Sequence, residues 1–156
     1  MRIPRTAPDL ERLLRPTALT ARLSTLGREL GEREAEHGSG LERARKCVEE
    51  LRGEVSAALD GFHRAAAQAG APHLRIEISP VRTDDKHLRS VEFELSRGRH
   101  RAIVTAKSRG DVTFVGPFRS GKTEGPCKSF PIDARDEVSG ALGSFLESFL
   151  EEAATP

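Results

Sequence analysis

The chain has no tryptophan and no tyrosine, and only seven phenylalanines in 156 residues. A tyrosine acid and a Trp/Tyr stacking platform are therefore excluded. Any core must be built from Leu, Val, Ile, Ala and Phe. Cysteine is scarce too: Cys47 and Cys127 alone make no disulfide framework. No apolar run approaches the roughly 18 residues of a membrane-spanning helix. The opening stretch Met1-Arg2-Ile3-Pro4-Arg5-Thr6-Ala7-Pro8 lacks the apolar region of a signal peptide. Reduced thiols and no visible address lead us to expect a cytoplasmic protein without a membrane partner.

What is present is helical period first. Leu41, Ala44, Val48, Leu51, Val55, Ala58, Phe62, Ala65 and Ala69 step by three and four without a break. This is a coiled-coil-like seam of about four heptads. Ser39 and Glu42 stand in capping-box positions at its start, and Gly70 with Pro72 stops it. The spacing predicts a long helix over 41–69. Upstream, Pro4 and Pro8 favour extended chain, and Asp9 caps a turn holding Leu10, Leu13 and Leu14 that Pro16 ends. Thr17 then opens a weaker helix to about Glu36, with Leu19, Leu23, Leu26 and Leu30 on a seam of the same spacing. His37-Gly38-Ser39-Gly40 reads as a flexible break. The two helices then form an antiparallel hairpin, or the first is an arm that pairs with another copy.

After Gly70 the period shortens to two. Leu74, Ile76 and Ile78 alternate with polar residues until Pro80. Thr83-Asp84-Asp85-Lys86 reads as a turn. Val91, Phe93 and Leu95 make a second strand, Ala102–Ala106 a third, and Val112–Val115 a fourth. Cys127 to Ile132 offers a weak fifth. Arg97-Gly98-Arg99 and Ser108-Arg109-Gly110-Asp111 are the tight turns between them. Such short connections demand antiparallel neighbours, since a parallel crossover takes a dozen residues or more. Asp133 is read as the cap of a last helix. Its wide apolar stripe runs through Val138, Ala141, Leu142, Phe145, Leu146, Phe149, Leu150 and Ala153. Gly140 and Gly143 weaken it, and would let it lie close to the sheet.

The expected fold is α+β: long N-terminal helices as hairpin or arm, an antiparallel meander of four to five strands over 73–132, and a C-terminal helix over 134–153 packed on the sheet. Residues 1–40 form an extended segment and helical arm, and 41–156 a single domain. No family resemblance covers the chain.

One motif is sharp. Gly116-Pro117-Phe118-Arg119-Ser120-Gly121-Lys122-Thr123 resembles the phosphate-binding loop of P-loop nucleotide-binding proteins, over these eight residues and nothing else. The resemblance implies phosphate held by backbone N–H groups, with Gly116, Gly121, Lys122 and Thr123 binding a nucleotide. The surroundings argue otherwise. Glu124-Gly125-Pro126 does not begin the helix such a loop needs, and Pro117 removes an N–H. The plainer reading is a Gly-rich loop between strands four and five.

Charge supplies the second candidate. Residues 70–132 carry 12 Lys/Arg against 7 Asp/Glu, whereas 133–156 carry Arg135 against six acids. In a meander alternate turns share an end. Arg97, Arg99 and Arg101 should therefore meet Arg119 and Lys122 in a basic end able to hold an anion, an acidic protein or nucleic acid. Phe93 and Phe114 are in phase with buried positions, which argues against base stacking. No His/Cys spacing fits a metal, and no catalytic residue or cofactor is assigned. Alternation puts Glu92 and Glu94 on the wet face. Cys127, between Pro126 and Lys128, is an incidental thiol with no identifiable base. We expect a non-enzymatic binding or adaptor protein that assembles through helical seams and meets an acidic partner through its basic end. The alternatives are a small P-loop-like nucleotide-binding protein and a chaperone-like or immunity-type partner of one protein.

Overall fold

The computed structural model describes residues 17–84, 89–122 and 125–155. The expected segment around Pro4 and Pro8, the turn of Asp9 with its leucines, Asp85-Lys86 and Thr123 lie outside them. The chain divides into two units, 1–36 and 37–156.

Helix α1 is continuous from Ala18 to Gln68. It starts where its cap predicts: the Thr20 N–H donates to Thr17 Oγ1 at 3.0 Å. It does not break at His37-Gly38-Ser39-Gly40, so no hairpin forms, and Ser39 and Glu42 are helix interior rather than a capping box. Glycine inside a helix costs up to about 1 kcal/mol relative to alanine. At Gly40 that cost accompanies a close approach. A Cβ there would stand 2.0 Å from the Ser108 carbonyl oxygen. His37 Nδ1 also lies 3.1 Å from Ser108 Oγ. The glycine read as a flexible link is thus where the helix lies against the chain at Ser108. The C-terminal stop is as expected. Gly70, at φ +97°, donates to the Ala67 carbonyl and Ala71 to that of Ala66. The pair forms a Schellman motif.

The sheet is antiparallel throughout. Strands β1 (Glu77–Ile78) and β2 (Arg82–Asp84) both pair with β3 (Ser90–Arg97), followed in order by β4 (His100–Lys107), β5 (Asp111–Arg119) and β6 (Cys127–Pro131). Thr83 and Asp84, expected in a turn, pair instead with Val91 and Ser90. Pro80, which cannot donate to a ladder, separates β1 from β2. Ser79 bridges the gap: its hydroxyl accepts the Glu94 N–H at 2.8 Å. Only the first central residue of the β3–β4 turn, Gly98, has positive φ, the type II′ pattern.

Alternation lays Val91, Ala106 and Val112, then Phe93, Val104 and Phe114, across one buried face. Helix α2 (Arg135–Ala154) buries Val138, Leu142, Phe145, Phe149 and Ala153. Both helices share one apolar cluster with that face. Two expectations fail at α2. Its cap position is Ala134 rather than Asp133, with no side-chain cap bond. A Cβ on Gly140 or Gly143 would meet nothing within 4 Å, so neither glycine serves a close approach.

The seam of α1 also differs from the heptad. The buried residues are Gly40, Ala44, Val48, Leu51, Val55 and Leu59. Leu59 replaces Ala58, which is exposed with Ala65 and Ala69. From Val48 to Leu59 three steps take eleven residues, close to the 3.6 period of an unsupercoiled helix. A sheet is the partner here, and it imposes no left-handed supercoil. No helix among the described residues is long and apolar enough to cross a membrane.

His63 joins α1 to the chain after it. Its Nε2 accepts the Ile76 N–H at 2.9 Å, which requires the neutral ring. Burial, and then nearby Arg75, push its pKa below the ordinary histidine value, with Asp60 opposing. The unfolded chain therefore takes up a proton more readily than the folded one. The His63 contribution is complete above about pH 6.5, the unfolded value, and is lost as pH falls toward the lower folded value. At pH 7.5, His63→Leu should lower stability by about 1–3 kcal/mol, because a buried N–H loses its acceptor. Urea midpoints at pH 7.5 and 5.0 should show the gap between wild type and variant narrowing at the lower pH. A gap that widens would contradict this assignment.

Candidate functional site

The β3–β4 turn and the segment leaving β5 occupy one end of the sheet. His100 pairs with Arg119 and Arg101 with Phe118. The Ser120 N–H donates to the Arg99 carbonyl at 2.7 Å, and the Lys122 N–H to that of Arg119 at 3.1 Å. Arg97, Arg99, Arg101, Arg119 and Lys122 thus belong to one local structure, reached from positions up to 25 apart in sequence.

Their side chains divide into two groups. Arg97 donates to the Ala153 carbonyl at 2.5 Å, holding the last turn of α2 to the strand and matching its dipole. Arg101 donates to the Gly98 and His100 carbonyls, and lies 3.6 Å from Glu94. Both are committed to the fold. Arg99, Arg119 and Lys122 are exposed, and no side-chain hydrogen bond or ion pair is seen for them among the described residues. Beside them His100 Nδ1 is buried without a hydrogen-bond partner. Of the other basic turn residues, Lys107 and Arg109 flank the β4–β5 turn at the opposite end, and Arg109 is held by Asp111 at 2.9 Å. Glu92 and Glu94 stay on the wetter face, opposite Arg82 at 3.8 and 3.9 Å.

The P-loop pattern takes a different form from the one its sequence implies. Gly116, Pro117, Phe118 and Arg119 are residues of β5, between two antiparallel neighbours. The Gly116 N–H donates to the Pro126 carbonyl at 2.7 Å. With those of Ser120 and Lys122 also engaged and Pro117 lacking one, the motif keeps few N–H groups for phosphate. The next element after it is strand β6, where a phosphate cradle requires a helix N-terminus.

A groove of about 520 Å³ opens between the β5–β6 end and α2, lined by Phe114, Phe130, Phe145, Pro117 and Ala141, with Lys128 and Glu137 among its polar groups. Periodicity did not reveal it, since its lining comes from three separate elements. Cys127 is exposed on its rim. Cys47 is half-buried, and burial followed by Glu50 pushes its thiol pKa up, against reactivity. No group of His, Cys, Asp and Glu among the described residues could hold a metal ion. Compared with protein-family models, curated proteins and solved structures, the chain matches none.

Proposed function

We propose that this is a non-enzymatic binding protein that assembles through the exposed leucine seam at 19–30 of α1, the seam at 40–59 being buried against the sheet, and presents the basic end of its sheet to an acidic protein. The observation that supports this is the grouping of Arg99, Arg119 and Lys122, tied through the Ser120–Arg99 backbone bond and exposed. Three exposed cations with no side-chain partner among the described residues, grouped at one end of the sheet, attract an anionic surface. An acidic protein is favoured over single-stranded nucleic acid. Of the aromatics on β3–β5, Phe93 and Phe114 are buried, and Phe118 alone stands half-buried at the basic end, so there is no row of exposed rings for successive bases to stack on.

The test is a fluorescence-anisotropy titration with an acidic polyglutamate peptide and, separately, with single-stranded DNA. Polyglutamate should bind, and weaken by about 15- to 60-fold between 50 and 200 mM salt, as two to three released counterions imply. The variant R99A/R119A/K122A should lose that binding and its salt dependence. Tighter binding to DNA than to polyglutamate at equal salt would turn the assignment toward nucleic acid. Binding of neither, at either salt, would end it.

A further inference from the structure

Every described residue from Thr17 to Glu36 is exposed, including four leucines. Leu19, Leu23, Leu26 and Leu30 are 63%, 56%, 46% and 49% exposed. They step by four, three and four, so they fall on one stripe, at the d, a, d and a positions of a heptad. The next core positions are Arg33 and His37, so the described apolar stripe ends at Leu30. One helix cannot bury such a stripe against itself.

We infer that this stripe pairs with the same stripe of a second copy, running antiparallel. This deepens the assembly half of the proposed function, and rests on that reading. In the antiparallel arrangement Leu19 packs opposite Leu30 of the second copy, and Leu23 opposite its Leu26. All four leucines of each chain are used, in four leucine-on-leucine layers.

The flanks decide the direction. When two helices run oppositely, each flank of the seam faces the same flank of its partner. The g flank carries Arg22 and Glu29, so Arg22 of each copy faces Glu29 of the other, giving two opposite-charge pairs. The e flank sets Thr20 against Gly27, two small side chains that let the helices approach. A Cβ at Gly27 would meet nothing within 4 Å of its own chain, so that flank is open. In the parallel arrangement g faces e. Arg22 would then stand against Gly27, and Glu29 against Glu34, with no attractive pair and an acid opposite an acid on both sides. Charge complementarity therefore selects the antiparallel pair.

Sedimentation velocity on the full chain at 50 mM salt, over about 1–200 µM, tests this. The wild type should pass from monomer to dimer, since a short four-layer seam implies roughly micromolar affinity. L23D/L26D should weaken the dimer by on the order of 100-fold or more, because four buried leucines become charges at the seam centre. R22E alone and E29R alone should each weaken it by about tenfold, since each sets like charges face to face twice, and R22E/E29R should restore it. Far-UV circular dichroism reports whether each variant keeps its helix.

A wild type that stays monomeric over the range overturns the inference. So does a dimer that tolerates L23D/L26D. A dimer strengthened by E29R and indifferent to R22E overturns the antiparallel direction. The basic end fails separately: R99A/R119A/K122A should leave sedimentation unchanged, and L23D/L26D should still bind polyglutamate.

Discussion

Phe149→Ala should lower the unfolding free energy by about 3–5 kcal/mol, the range for removing a phenyl ring from a closed site. Phe149 is 0% exposed on α2. It belongs to the single cluster that both helices share with the sheet. A domain of this size holds about 5–15 kcal/mol of net stability. The loss therefore takes much of the reserve, and the urea midpoint should fall sharply or the folded baseline disappear. Phe130 is a useful control, because it is only partly buried on the outer strand β6. Phe130→Ala should cost clearly less. Equal losses at the two positions would show that the cluster is not centred between α2 and the central strands.

The second large effect separates two glycines of one helix. Gly40→Ala places a methyl group 2.0 Å from the Ser108 carbonyl oxygen, far inside van der Waals contact. The obstacle is backbone, so either the helix or the β4–β5 turn must move. Overpacking of this kind costs about 1–3 kcal/mol, and a backbone clash lies toward the upper end. Gly53 lies in the same helix, with nothing within 4 Å of a Cβ. Gly53→Ala should therefore stabilise by up to about 1 kcal/mol, through helix propensity alone. Thermal melts of the two variants should shift in opposite directions. A stabilising Gly40→Ala would mean that α1 does not lie against Ser108 as described.

These two glycines show how much of the fold was legible. Elements whose causes are local could be read directly. Gly70 ends α1 because positive φ suits glycine, and the helix's last carbonyls need donors nearby. The alternation of Val91, Phe93 and Leu95 gives a strand buried on one side whatever its neighbour. The short turns at Gly98 and Gly110 force antiparallel pairing, and so bring Arg99 to Arg119 and Lys122. That juxtaposition followed from topology alone. Which arginines remain available did not. Arg97 is taken by the Ala153 carbonyl, 56 residues away, and Arg101 by Glu94 across the β3–β4 hairpin and by the Gly98 and His100 carbonyls, choices that strand alternation does not specify.

The sequence by itself determined the α+β class, the up-and-down order of strands, the face each strand buries and the leucine stripe at 19–30. Each follows from backbone geometry and the two side-chain periods, which act over a few residues. The tertiary structure alone decided that 37–40 is helix, because only the folded turn at Ser108 makes room that glycine fills. It decided that α1 buries Leu59 rather than Ala58, because a sheet asks for the period of an unsupercoiled helix. It also turned the first half of the phosphate-loop pattern into strand, because Gly116 found the Pro126 carbonyl across the sheet. Those outcomes depend on what lies opposite a residue in space, and no local pattern carries that information.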